Sequence, residues 1–327
     1  MTILVTGGAG YIGSHTVRIL RALGRDVVVL DSLERGHRES LFDTSLVVGD
    51  IADEQLVSRV CRDFGVTDIV HFAAYKSAGE SMDKPGMYWH NNVQGTVHLV
   101  EAALAAGVDR LVFSSSAAVY GNPATLPVRE DSPVAPENVY AETKAVMERV
   151  ISWYGVPRGL RWVSLRYFNA AGAAADAAIG EDWSITTNLV PLVMKSALGA
   201  SGPLRVFGRD YPTPDGTGVR DYIHVEDLAT AHVAAIDRIA NGGANLTVNL
   251  GTGHGASVLE ILRETERVSG KPVPHEFVDR RPGDAATVFA DASFAATELG
   301  WRAKRSLSDI IESAYAWHSA HPTGFGN

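Results

Sequence analysis

Ile3-Leu4-Val5-Thr6-Gly7-Gly8-Ala9-Gly10-Tyr11-Ile12-Gly13, with the helical run that follows to Leu23, decides the fold. The first four residues read as a buried strand. Gly7, Gly10 and Gly13 have the spacing GxxGxxG. A backbone that passes close to a pyrophosphate cannot carry side chains there, and the helix that follows offers free N–H groups and a positive dipole end. The next strand, Asp26 to Leu30, ends in Asp31. That acid lies roughly 20 residues on, where a carboxylate takes the ribose hydroxyls of an adenosine half. It would repel a 2′-phosphate, which favours NAD over NADP; Arg35 and Arg38 nearby weigh the other way.

Outward from this stretch, short apolar runs recur at 3–6, 26–30, 45–48, 67–72, 109–114 and 160–166, with helical patterns at about 11–23, 53–64, 84–106 and 137–154. Alternation with continuously apolar strands predicts a doubly wound parallel α/β sheet of the Rossmann type, in the order 3-2-1-4-5-6. Ligands then gather at the carboxyl ends of the strands. After residue 170 the character changes. A small-residue loop from Ala170 to Asp182 precedes a helix near 188–199, and pieces broken by Gly and Pro follow at 203–220, 246–256 and 272–284. Helices near 257–269 and 306–320 complete a smaller, mixed α/β lobe. The domain boundary falls at 1–169 and 170–327, with the helix near 225–240 returning to the first domain. Second apolar stripes on helices 84–106 and 137–154 suggest a homodimer.

The 327 residues carry a formal charge of −9, which argues against a nucleic-acid or acidic-membrane partner. Any phosphate must be held by a local cluster of cations. The single cysteine, Cys61, sits in a helical pattern and reads as buried filler. The first strand starts at residue 2 or 3, so no signal peptide is expected, and no apolar run is long enough to span a bilayer. A cytoplasmic enzyme is the expectation. The histidines show no HExxH or Cys/His pairing, so no metal is expected. His71 and His224 read as structural, His318 and His321 as solvated, and Trp153, Trp162 and Trp317 as packing.

The candidate chemistry lies in Ser114-Ser115-Ser116, at the end of strand five, and in Tyr140-Ala141-Glu142-Thr143-Lys144. Tyr and Lys at i and i+4 share a helix face. A lysine charge one turn away favours phenolate and draws the phenol down from roughly 10. A phenolate can take a hydroxyl proton while hydride leaves the same carbon. Ser116 is placed to hydrogen-bond that hydroxyl.

GGAGYIG, Asp31, Gly49-Asp50-Ile51, HFAA with Lys76, Asn91-Asn92-Val93, SSSAAVYG, YxxxK, RYFNAAGA and VRDYIHVEDLA together resemble the extended short-chain dehydrogenase/reductase family over Ile3 to about Trp317. The resemblance implies NAD-dependent, reversible C4 epimerisation of UDP-hexoses, UDP-galactose to UDP-glucose, through a 4-keto sugar. It makes residues 170–327 the UDP-sugar-binding lobe. By position, it implies NAD pyrophosphate on Gly7, Gly10, Tyr11, Ile12 and Gly13, adenosine ribose on Asp31 and Ser32, and adenine between Asp50 and Ile51. Phe72, Ala73, Lys76 and Asn91 line the inner ribose and nicotinamide side, and Tyr167 and Phe168 complete that pocket. Tyr140 is the implied base, with Lys144 and Ser116 its partners. Asn169, Asn188 and Leu189 hold the phosphates and sugar edge, Val206 and Phe207 pack near uracil, and Arg220, Tyr222, Arg281 and Asp284 clamp diphosphate and ribose. Guanidinium forks suit a diphosphate in an acidic protein regardless of family.

Relatives of the same fold can be weighed on the residues. A 4,6-dehydratase needs acids beside the serine, where this chain has Ala117 and Ala118. A uronate epimerase stays open, as do UDP-arabinose and UDP-N-acetylglucosamine 4-epimerases, an NAD-exchanging dehydrogenase and a non-enzymatic NAD-binding regulator. In the family, the residue after RRxGDxxx sets the room beside the sugar C2 substituent. Here it is Val288, small enough to extend the expected substrates to UDP-N-acetylhexosamines. Asn169-Ala170 replaces a common Asn-Pro, Ser32 a frequent Asn, and the loop at 172–179 is unusually rich in alanine.

Overall fold

The computed structural model describes residues 1–184, 186–281 and 283–326; Pro282, within the stretch before Val288, lies outside them. Seven strands form one parallel sheet. They are β1 (Thr2–Thr6), β2 (Asp26–Asp31), β3 (Ser45–Val48), β4 (Val66–His71), β5 (Arg110–Ser114), β6 (Arg161–Tyr167) and β7 (Leu246–Leu250). Their order is β7-β6-β5-β4-β1-β2-β3, so the expected order holds for the first six. Leu246–Leu250, read above among the broken pieces of the second half, is instead the seventh strand, paired in parallel with β6 from Leu246 opposite Val163 to Leu250 opposite Tyr167.

Both faces of the sheet are covered, as continuous apolar strands require. Ile3 and Val5 join Val29, Val70, Val112, Leu165 and Val248 in one core with helices α1 (Tyr11–Ala22) and, far along the chain, Val225–Ala240. Leu4, Val28, Leu30, Ile69, Leu111 and Phe113 point the other way. They pack against α2 (Glu54–Asp63), α3 (Gly95–Ala105) and α4 (Val139–Arg158). Cys61 is buried in this second layer, where loss of water pushes its thiol up to about 11.

A third core gathers the second half. Val190, Val193 and Met194 of α5 (Leu189–Ala197) meet Ile261 and Leu262 of a helix at Val258–Ser269. Ile310 and Ile311 of a helix at Leu307–Ala320 close that core. Three small sheets line its inner edge: Asn169–Ala171 with Tyr222–His224, Leu204–Phe207 with His275–Val278, and Val219–Arg220 between Ala256–Ser257 and Thr287–Val288.

Three expectations change. The helix at 84–106 is not uniform: Pro85–Tyr88 is α-helical, Trp89–Gln94 is a π-helical segment, and α3 begins at Gly95. The wide turn carries Asn92 inward. There it accepts from the Tyr75 N–H at 2.9 Å and donates to the Tyr75 carbonyl at 3.1 Å and to the Thr143 hydroxyl at 3.0 Å. His318 is buried rather than solvated, stacked 4.5 Å from the Trp183 ring. Trp153 is exposed rather than packed.

Candidate active site

The glycines of the first turn are required by close backbone approach. A Cβ on Gly13 would stand 2.3 Å from the Gly7 carbonyl oxygen and 2.9 Å from Gly8 Cα, and one on Gly7, at φ +71°, 2.5 Å from the Ala73 nitrogen. Gly10 caps α1 without a side-chain acceptor, and no acid occupies the first turn, so the positive end of the helix is left open. At the end of β2 the Asp31 carboxylate accepts from the N–H groups of Ala9 and Leu33, each at 2.9 Å. Burial raises its pKa above the ordinary carboxylate value despite those bonds.

These groups open onto a cleft of about 820 Å³ along the carboxyl ends of the strands. Every residue singled out in the sequence for catalysis, cofactor or substrate lines this one cleft, from Gly7 and Asp31 at one end to Arg220, Arg281 and Val288 at the other. A second open helix end faces it. α5 starts at Asn188 with no side-chain cap and no acid in its first turn. Arg220 Nη2 stands 3.9 Å from Asp284, and the Arg281 guanidinium lies 3.8 Å over the Phe207 ring.

Tyr140 and Lys144 are carried by α4, whose start is fixed by Asn138 accepting from the Ala141 N–H at 2.9 Å and whose end is fixed by Gly159 at φ +72°. Here the structure corrects one expectation. Burial raises the Tyr140 phenol above its ordinary value, and the Ser116 hydrogen bond acts the other way. The lysine is turned toward the strand. Its Nζ donates to the Ser114 carbonyl at 2.8 Å and lies 4.8 Å from the Phe113 ring centroid. Burial pushes Lys144 down to about 7, with the Glu148 charge acting the other way. Ser114 also uses its hydroxyl, 2.8 Å from the Tyr167 hydroxyl.

The sequence reading missed two further parts of the wall. Glu181 is 5 % exposed; its Oε1 accepts from Asn188 at 2.7 Å, Thr186 at 2.9 Å and Lys76 at 3.3 Å. Gly180-Glu181-Asp182 follows an alanine loop with no periodicity, so no local signal marks it as buried. The other part is His37, whose Nε2 is 2.8 Å from Asp182 and whose ring stacks on Phe325 at 4.7 Å. Hydrogen bonding to Asp182 raises the His37 pKa above its usual 6.5, and Asp182 is held down to about 2. A raised histidine stabilises the fold fully below its unfolded value and loses that contribution as pH rises through the folded value. The melting temperature of the parent should therefore exceed that of His37→Asn most below pH about 6.5, with the gap narrowing above it. A gap independent of pH between 5 and 8 would remove the ion pair from the account.

The model of the NAD dependent epimerase/dehydratase family matches residues 3–251. The chain belongs to that family. A UDP-glucose 4-epimerase of Lactobacillus helveticus is 46% identical to this chain over 327 residues, covering 99% of each. The solved UDP-glucose-4-epimerase of Stenotrophomonas maltophila, with bound NAD and formylated UDP-arabinopyranose, is 42% identical and superposes with a TM-score of 0.96, covering 98% of this chain and 99% of that one. The UDP-Glc/GlcNAc 4-epimerase of Campylobacter jejuni is 38% identical with a TM-score of 0.86 over 98% of this chain and 99% of its own. Within the epimerase/dehydratase family, the alanines after Ser116 leave no acid beside that serine.

Proposed function

We propose that this protein is an NAD-retaining 4-epimerase of UDP-hexoses, interconverting UDP-galactose and UDP-glucose. The observation that carries the reading is the meeting of three things in one cleft: a glycine cradle, the Ser116–Tyr140 pair and the Arg220–Arg281 region. Each open helix end suits one pyrophosphate. That of α1, with Gly7, Gly10, Tyr11, Ile12 and Gly13, takes the dinucleotide, because side chains at Gly7 or Gly13 would collide with neighbouring backbone and force open the turn that aims the first N–H groups of the helix. Asp31 and Ser32 take the adenosine ribose, Asp50 and Ile51 the adenine, and Phe72, Ala73, Lys76, Asn91, Tyr167 and Phe168 the nicotinamide half. The end of α5, with Asn169, Asn188 and Leu189, takes the sugar nucleotide, helped by Arg220, Tyr222, Arg281 and Asp284, with uracil beside Val206 and Phe207. Residues 1–169 thus serve mainly the cofactor and 170–327 the sugar nucleotide.

NAD, when bound, supplies the hydride acceptor. Tyr140 removes the C4 hydroxyl proton and Ser116 holds the oxygen. A charged Lys144 stabilises the phenolate electrostatically, which the raised phenol makes necessary. Hydride must leave one sugar face and return to the other, so the 4-keto sugar has to turn between transfers. Cations and helix ends that grip the diphosphate, with few charged groups around the hexose, allow that turn. The similar proteins of L. helveticus and S. maltophila support the same assignment. Exposed Trp153 and Val156 on α4 support a homodimer through that helix, and among the described residues no helix is long and apolar enough to cross a membrane. We place the enzyme in the cytoplasm.

Val288 favours a wider substrate range. It lines the cleft beside Phe168 and Arg220, and the C. jejuni protein is named for both glucose and N-acetylglucosamine substrates. Assayed side by side, UDP-galactose and UDP-N-acetylglucosamine should both turn over without added NAD. Val288→Tyr should lose roughly 100-fold on the N-acetylated sugar, with UDP-galactose changed by less than about threefold. Nucleotide lost on gel filtration, with net NADH release from added NAD, would instead identify a dehydrogenase.

A further inference from the structure

Tyr140, Lys144 and Glu148 follow one another at intervals of four on α4, so they stack in one stripe on its buried face. The three serines ending β5 meet them rung by rung. Ser116 faces the Tyr140 phenol, the Ser114 carbonyl takes the Lys144 ammonium, and the Ser115 hydroxyl donates to the Glu148 carboxylate. Glu148 also receives Arg166 of β6, Nε at 2.9 Å and Nη2 at 2.6 Å. Arg166 Nη1 donates to the Tyr120 hydroxyl at 2.8 Å, and that hydroxyl donates to Asn249 at 2.7 Å. Ser115, Glu148 and Arg166 lie beneath the cleft and do not line it. A buried ion pair is weak ground for stability, since apolar groups of equal volume commonly serve as well. What this pair does have is Lys144 one turn away. That ammonium is 4 % exposed, lies against an aromatic ring and has one carbonyl as its hydrogen-bond partner. A buried ammonium without a counter-charge gives up its proton.

We propose that Glu148 is a positioning residue for the proton-transfer pair: pinned by Ser115 and Arg166, its carboxylate supplies the negative charge that keeps buried Lys144 an ammonium. Arg166 sets how much of that charge the lysine feels, because the two cations share one anion. With the phenols protonated, the other groups around the lysine bring no second negative charge; Tyr140 adds one only in its phenolate form. His71 of β4 is held neutral, pushed down to about 3 by burial and by Lys144, and burial raises the phenols of Tyr120, Tyr140 and Tyr167. The inference rests on Tyr140 and Lys144 being the working pair of the epimerase, but its test does not need turnover.

The chain has only six lysines, at 76, 84, 144, 195, 271 and 304. Lysine labelled with carbon-13 at Cε therefore gives a spectrum in which Lys144 is assigned by its loss in Lys144→Arg. The titration is run on the holoenzyme as purified, with kcat measured across the same pH range. Glu148→Gln should move the Lys144 midpoint down by about one pH unit or more, and Arg166→Gln should move it up by a similar amount. The basic limb of kcat should move with each. Two variants that break the same bridge and shift in opposite directions cannot be explained by loosened packing. If Glu148→Gln does not fold, Glu148→Asp, which retains the charge, should stay within about half a pH unit of the parent while Arg166→Gln still shifts upward. Midpoints that stay put in both charge-removing variants, or move the same way, would overturn the proposal. A parent that epimerises no UDP-sugar rejects the proposed function instead and leaves the titration to be read on its own.

Discussion

Tyr140→Phe should fold, keep its dinucleotide through gel filtration and lose about three orders of magnitude in kcat. The change removes one oxygen from a half-buried ring and leaves α4, Lys144 and the Ser114 contact in place. What it removes is the group of that helix face proposed to accept the C4 proton. Ser116 cannot replace it: a hydroxyl at its ordinary acidity is a far weaker base, and its oxygen already accepts from the Ala118 N–H at 3.2 Å. Because the structure puts burial in charge of the phenol, the residual rate should respond to pH less steeply than the parent's. A variant within tenfold of the parent would mean that another group takes the proton.

Gly13→Ala is expected to cost at least about 2 kcal/mol of stability and to lower retained dinucleotide by tenfold or more. The added methyl meets backbone, not the end of a flexible side chain: the Gly7 carbonyl oxygen at 2.3 Å and Gly8 Cα at 2.9 Å. Relief requires the strand-to-helix turn to open, and that turn aims the first N–H groups of α1. Acid release of nucleotide from the purified protein, read by absorbance, measures the occupancy. A variant carrying a full complement would show that the turn tolerates a Cβ and that retention is built elsewhere.

What could be read from sequence follows physical range. Runs such as Ile3–Thr6 and Asp26–Asp31 encode their own burial, and the glycine spacing encodes the turn between them, so the sheet and its ligand-bearing edge were legible. The Tyr140–Lys144 spacing placed both side chains on one face, but it could not show that the ammonium turns to the Ser114 carbonyl, because that depends on β5 lying alongside. β7 was missed because five residues, Leu246–Leu250, between glycine-rich neighbours carry no mark of which sheet they join. Glu181 and Asn92 look like ordinary loop and helix polar residues until the surroundings that bury them are known. His318 near the chain end was read as solvated for the same reason, since its cover is Trp183, more than a hundred residues earlier.

The late arrival of β7 bears on how the molecule is made. During synthesis β1 to β6 are complete once about 170 residues have left the ribosome, yet the outer rim of β6 has no neighbour until Leu250 has emerged. For that interval a row of unpaired amides and carbonyls, flanked by Val163 and Leu165, is open to strands of other nascent chains. Premature termination before residue 246 would leave that rim permanently bare. The arrival of β7 therefore closes the long apolar rim of β6 and leaves the five-residue Leu246–Leu250 as the edge in its place.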